Sequence, residues 1–301
     1  MRTSRLSQIL LATALLMGSA AITSVPTRAD VVETIGDGKI DWSKGQITVT
    51  GSGAPPNKSN MSAGQKRLMA QRAAVADAYR QLAELINGVN VDAETVVKDF
   101  VTESDIVRTK VSALIKGAKL GKPRYMSDGT VEIDVSLGMY GQNSLSTVII
   151  PPALEKQDVV TRPTSDPSIS MPTAPPTLPP ETAAPVGSYT GVIVDCRGTG
   201  VQPAMSPQIV DTNGKEIYIG SRPIDPDLVV NIGIVGYAET PAQAQANARV
   251  GNHPMMIKAV KAGGRYKTDA VVSNDMGQQL MQADSRNDFL SRSKVMFIVD
   301  K

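Results

Sequence analysis

The side chains able to do chemistry are few in this chain, and their spacing limits what they could do. One histidine, His253 in GNHP, and one cysteine, Cys196 in VDCRG, are present. A zinc site wants several His or Cys ligands, and a serine or cysteine hydrolase wants a histidine base beside its nucleophile; neither set is complete. His253 reads as a loop residue before a proline, and Cys196 as a buried strand residue, with adjacent Arg197 the one feature pointing to an activated thiolate. Asp211 to Glu216, DTNGKE, opens like a calcium loop but lacks the later ligands and the distal glutamate, so a hairpin turn is expected. GSGAPP, GDGKID and RGTGVQ carry Gly-x-Gly without the third glycine of a dinucleotide fingerprint and read as turns. Asp225/Asp227 and Glu132/Asp134 have the residue types of a glycosidic pair, but strand alternation puts the second pair on a solvated face. The sequence thus predicts no catalytic, cofactor-binding or metal-ligating residues, no cofactor and no enzyme.

Binding surfaces are equally sparse. Lys44, Lys58, Lys66 and Arg67 make a mildly basic region that reads as scattered solvated charge. Trp42 and Tyr125 are the candidate exposed aromatics, with packing on the sheet as the competing reading.

The elements that must position these residues begin with the stretch from Ala70 to Asp92. Leu68, Val75, Tyr79, Leu82 and Ile86 recur at helical spacing and predict one buried face, with Arg72, Asp77, Arg80 and Glu84 opposite. Ser62 and Gln65 form a capping-box signature, and Gly88 is expected to end the helix in the left-handed conformation. Before it, KIDWSKGQITVTGSG reads as a hairpin turning at Ser43-Lys44-Gly45. After it, a short helix is expected from Asp92, as cap, to about Phe100. IVRTKVSALIKGA reads as a strand with Val107, Thr109, Val111, Ala113 and Ile115 on one face and Leu114 as the exception. TVEIDVSL is a strand entered through a turn at Ser127-Asp128-Gly129. An antiparallel sheet covered by the long helix is the expected arrangement.

Residues 1–29 have the charged, apolar and small-residue pattern of a cleavable signal peptide, with cleavage expected after Ala29. Its removal leaves 28 basic against 29 acidic residues, a near-neutral balance that argues against nucleic acid or a polybasic membrane surface as partner. With Cys196 the only cysteine, no internal disulfide can form, so stability must come from packed cores. Residues 151–187 hold ten of the twenty prolines and read as an extended linker able to hold two domains apart. That divides the chain into an α+β domain at 30–150, the linker at 151–187 and a second α+β domain at 188–301. In the latter, TGVIVDCRG and SKVMFIVD read as buried strands and QIVDTNGKEIYIG as a hairpin turning at Asn213-Gly214. Thr240 and Pro241 start one helix and Asn274 caps another, with MMIKAVKAGG and TDAVVS as further strands.

Three segments of the first domain, VTGSGAP, AVADAYRQLAELINGVNVD and IKGAKLGKPRYMSDGTVEIDVSL, occur in an order that resembles the Lpp-twenty lipoprotein family. That family includes flagellar outer-membrane protein P, and the N-terminal domain of flagellar assembly protein T is a looser likeness. The resemblance covers the first domain and implies an envelope protein of flagellar or surface type, often assembled into rings, with no catalytic residues to carry over. Family members are typically anchored through a mature N-terminal cysteine; this chain has no cysteine before Cys196, so direct lipid anchoring is not expected. The expectation is a non-enzymatic periplasmic protein, peripheral to the outer membrane at most, that forms homo-oligomers and assembles with other envelope or flagellar basal-body proteins. A periplasmic binding module for a polysaccharide or small ligand is the alternative.

Overall fold

The computed structural model describes residues 30–161, 189–219 and 224–300; the signal-peptide segment 1–29 and residues 162–187 of the expected linker lie outside the described residues. In chain order the first region contains β1 (Val32–Ile35), β2 (Gly38–Asp41), β3 (Gln46–Gly53), α1 (Ala63–Asn87), α2 (Val97–Glu103), α3 (Asp105–Lys116), β4 (Lys119–Leu120), β5 (Arg124–Tyr125), β6 (Val131–Gly138) and α4 (Ser146–Thr161). Its strands form one antiparallel sheet ordered β1-β2-β3-β6-β4, with β5 also on β6. The expected turns are present, with Gly45 and Gly129 at positive φ where the chain reverses. Val131, Ile133, Val135 and Leu137 alternate into the core.

Helix α1 covers this sheet and carries the expected capping box, Ser62 Oγ accepting from Gln65 N and Gln65 Oε1 from Ser62 N. Its buried stripe differs from the expected one. Ala70, Ala74, Ala78, Leu82, Leu85 and Ile86 are buried and Val75 and Tyr79 partly so, whereas Leu68 is 48% exposed. The reason lies in β3. A Cβ on Gly51 would come within 2.2 Å of the Ala74 carbonyl oxygen, and one on Gly53 equally close to that of Ala70. The helix backbone therefore rests directly on the strand, and only alanine fits between them. Gly51 and Gly53, expected in a turn, thus serve as close-approach residues inside a strand. Gly88 ends α1 at φ −87°, not in the left-handed region.

The segment expected as a strand, Ile106 to Ala118, is mostly helix α3, capped by Ser104 Oγ accepting from Val107 N. Val107 and Val111 are buried, Leu114 and Ile115 pack on the core, and Thr109 and Ala113 are exposed. The spacing is i, i+4, i+7, which turns Leu114 from an exception into a member of the face. Helix α2 begins at Val97, later than expected, because the Asp92 carboxylate is used in a local turn, accepting from Glu94 N and Thr95 N at 2.9 Å. The expected linker also starts too early: α4 runs through Pro151 and Pro152, with Ile149, Ile150 and Ala153 buried. Burial of two isoleucines at about 1.5–3 kcal/mol each is of the same order as the penalty of about 3 kcal/mol for each of the two interior prolines.

The second region contains β7 (Gly191–Asp195), β8 (Ile209–Asp211), β9 (Glu216–Tyr218), α5 (Pro226–Ile232), β10 (Gly236–Ala238), α6 (Pro241–Ala246), β11 (Pro254–Lys258), β12 (Lys261–Gly263), β13 (Asp269–Val272), α7 (Asn274–Asn287) and β14 (Val295–Ile298). One sheet, ordered β10-β14-β7-β11, is entirely parallel; the other, β12-β13-β8-β9, is mixed. All four residues of β14 are buried, as a parallel sheet covered on both faces requires. Together the two regions are α+β units.

The two units are not held apart. Although no strand of one pairs with a strand of the other among the described residues, most of their buried apolar side chains form one continuous cluster, with a smaller separate one around Ile193, Met296 and Ile298 in the second unit. The 90–94 segment lies across the second unit: Asn90 O accepts from Met205 N at 3.0 Å, Val91 O from Ser206 N at 2.6 Å and Ala93 O from Tyr266 N at 2.9 Å. On the other flank, Val230 O accepts from Gly141 N and from Ser146 Oγ. These contacts overturn the expectation that the proline-rich segment separates two distant bodies.

Candidate functional site

The contact between the units brings together aromatic and polar side chains from both. The β2–β3 turn presents Trp42, 3% exposed, with its ring edge-on to Tyr237 at 5.7 Å between centroids, so the candidate exposed aromatic is instead an interface residue. Ser43 Oγ donates to Tyr237 O and accepts from Val31 N. Tyr140, just past β6, is held between Gly45 and Gly233: a Cβ on either would come within 2.7 Å of its ring. Gly233 ends α5 at φ 78°, so both the conformation and the contact require glycine there.

Arg249 lies under the same place. Its Nη1 donates to Gly233 O at 3.1 Å and Ser293 O at 2.9 Å, with Ile234 O at 3.5 Å, and its Nη2 donates to Ile232 O. A Cβ on Gly236 would come within 2.3 Å of Met296 Sδ and 3.1 Å of Arg249 Nε, so glycine there leaves room for both side chains. The last carbonyls of α5 orient the guanidinium, as helix C-termini favour cations. No carboxylate pairs with Arg249 among the described residues, and burial pulls its pKa below the usual arginine value. Burial pushes the phenols the other way, Tyr140 and Tyr218 up to about 12 and Tyr237 well above its usual value. All three remain protonated donors at neutral pH. A cavity of about 340 Å³ opens here, walled by Trp42, Lys44, Tyr140, Asn231, Tyr237 and Arg249 among others. Lys44 is itself engaged by Asp30 and by Asp41 at 2.8 Å.

A second feature of the interface is Asp269. It is 7% exposed, accepts from Gln208 N at 2.9 Å, and has Asp92 and Glu94 of the first unit and Glu216 of the second as charged neighbours. Burial, opposed by the Gln208 hydrogen bond and reinforced by these acids, pushes its pKa up to about 7.

Trp42 and Lys44 line this cavity, whereas the other residues singled out from the sequence do not. Cys196 follows β7, fully buried, and burial first and then Asp195 and Asp300 drive its thiol pKa up; Arg197 is bound to Asp195 and does not activate it. His253 is exposed and stacks on Tyr189 at 5.2 Å. The Asp211 carboxylate accepts from Asn213 N and Lys215 N of its own hairpin turn. Asp225 caps α5. Glu132 and Asp134 grip Arg124 at 3.2 and 3.0 Å, clamping β5 to β6, and Arg124 holds the Asp134 carboxyl below the usual range. Tyr125 is 47% exposed, with the Arg67 guanidinium 4.7 Å from its ring centre. Tyr140, Arg249 and Asp269 escape a reading of the sequence because the groups they meet are distant along the chain, and Gly45, one of the two glycines that hold Tyr140, reads as an ordinary turn residue.

Residues 191–301 match the family model described as the second domain of Treponema pallidum Tp0624, a little over a third of the chain. No curated protein matches the sequence.

Proposed function

We propose that this is a non-enzymatic, exported envelope protein that assembles into oligomers with copies of itself and with other envelope components, flagellar or motility-associated ones foremost. The observation that carries this reading is the state of the first sheet's edges. Among the described residues β1 has no partner on its outer side, and Val32 and Ile35 on it are more than 40% exposed. The opposite edge, β4 and β5, exposes Leu120, Tyr125 and Met126, and Leu68 and Met69 of α1 are exposed as well. Open apolar edges are templates for pairing with another chain. Because the two edges are dissimilar, head-to-tail contact is favoured, which gives a ring where the rotation between neighbours closes and a filament where it does not.

Other support comes from the signal-peptide pattern at 1–29, which suits a periplasmic location, and from the resemblance of the first unit to the Lpp-twenty family. No helix among the described residues is long and apolar enough to cross a membrane. The close packing of the two units changes the mechanism: the second unit travels with the first as part of the assembled body. Deletion of the gene tests the reading. It should impair motility or envelope assembly; unchanged motility and envelope, together with a purified chain that binds no envelope material, would remove its basis.

A further inference from the structure

We infer that the cavity between the β2–β3 turn and the α5–β10 segment is a binding site for a small monocarboxylate, held chiefly by Arg249. This site is independent of the assembly reading. Its volume, about 340 Å³, falls in the range of small-molecule sites, about 300–1,000 Å³, and such sites favour the contact between two structural units.

The charge inventory selects the ligand class. Lys44 is neutralised where it stands by Asp30 and Asp41, which leaves Arg249 as the cavity wall's one uncompensated cation among the described residues. One free positive charge suits one negative charge. The partners of Arg249 are backbone carbonyls, which orient it without cancelling it. They occupy the two Nη1 protons and one Nη2 proton. A guanidinium has five N–H groups, so two remain beyond these three bonds, as many as the two oxygens of a carboxylate need. Tyr140 adds a protonated hydroxyl with no protein acceptor among the described residues, and Asn231 and Asn247 add amides at the rim. A dianion such as phosphate would bring a charge that nothing here balances.

The chain carries its own reporter. Trp42, its only tryptophan, is part of the cavity wall. The full mature chain would be titrated at constant ionic strength with acetate and lactate, with acetamide as the neutral isostere and inorganic phosphate as the competing anion, reading Trp42 fluorescence. Expected is a saturable change with at least one carboxylate, absent with acetamide and weaker with phosphate. Tyr140→Phe keeps the ring between Gly45 and Gly233 and removes only the hydroxyl; it should weaken binding about tenfold, the worth of one hydrogen bond to a charged group. Arg249→Lys should abolish it, and if that variant fails to fold, Tyr140→Phe decides alone. No saturable change, an equal response to acetamide, tighter binding of phosphate, or unaltered affinity in a folded Tyr140→Phe protein would each overturn the assignment.

Discussion

Replacing Asp269 by Asn should flatten the dependence of stability on pH between mild acid and neutrality. In the folded chain this carboxyl is buried, keeps one backbone hydrogen bond from Gln208, and faces Asp92, Glu94 and Glu216, which together hold its pKa up at about 7. An unfolded aspartate titrates near 3.9. Between those two values the folded state holds the extra proton, so stability falls as pH rises. The contribution of the protonated form is present in full below about pH 4 and is lost by about pH 7, with no further change above that. A separation of about three pKa units at 1.36 kcal/mol each corresponds to roughly 4 kcal/mol across the window. Asparagine retains an oxygen for Gln208 N and never ionises. Urea unfolding of both proteins from about pH 4 to about pH 8 gives the comparison, and the difference between them isolates this residue from the other carboxylates. Asp77, Asp128, Asp134 and Asp195, whose pKa values lie below the ordinary range, act with the opposite sign at lower pH and cancel in that difference. A wild-type slope that survives unchanged in Asp269→Asn would refute the burial argument.

Two other perturbations test the packing. Gly51→Ala places a methyl against the backbone of α1 and should destabilise by at least about 3 kcal/mol, the upper end of ordinary overpacking, read as a lower urea midpoint with unchanged slope; a shift under a third of that would mean that α1 does not rest on β3. Cys196, buried with a raised pKa, should resist iodoacetamide in the folded chain and react once urea unfolds it; fast labelling of the native protein would contradict its placement.

Local signals carried the hairpins and caps: Asn213-Gly214 sits at its turn, Ser62 and Thr240 cap their helices, and TVEIDVSL alternates as a strand. What the sequence hid was a matter of partners. Val107, Thr109, Val111, Ala113 and Ile115 satisfy a two-residue period almost as well as Val107, Val111 and Leu114 satisfy a helical one, and only Ser104 as cap tips the balance. The large residues of α1 satisfy a helical period by themselves, while the role of Gly51 and Gly53 appears only when helix and strand meet. Pro151 and Pro152 concealed a helix whose isoleucines needed a core to bury them. The interface cavity was invisible for the same reason: Trp42, Tyr140 and Arg249 are separated by about a hundred residues at each step, and none is unusual alone.

Assembly through the open edges of the first sheet is what the proposed function requires. Sedimentation velocity of the purified mature chain against a Val32→Lys/Ile35→Lys variant tests it most directly, since two lysines on an exposed edge strand should leave the fold intact and block edge pairing. The wild type should form concentration-dependent oligomers and the variant should stay monomeric. A wild-type chain that stays monomeric at every concentration, or a variant that assembles equally well, would contradict it.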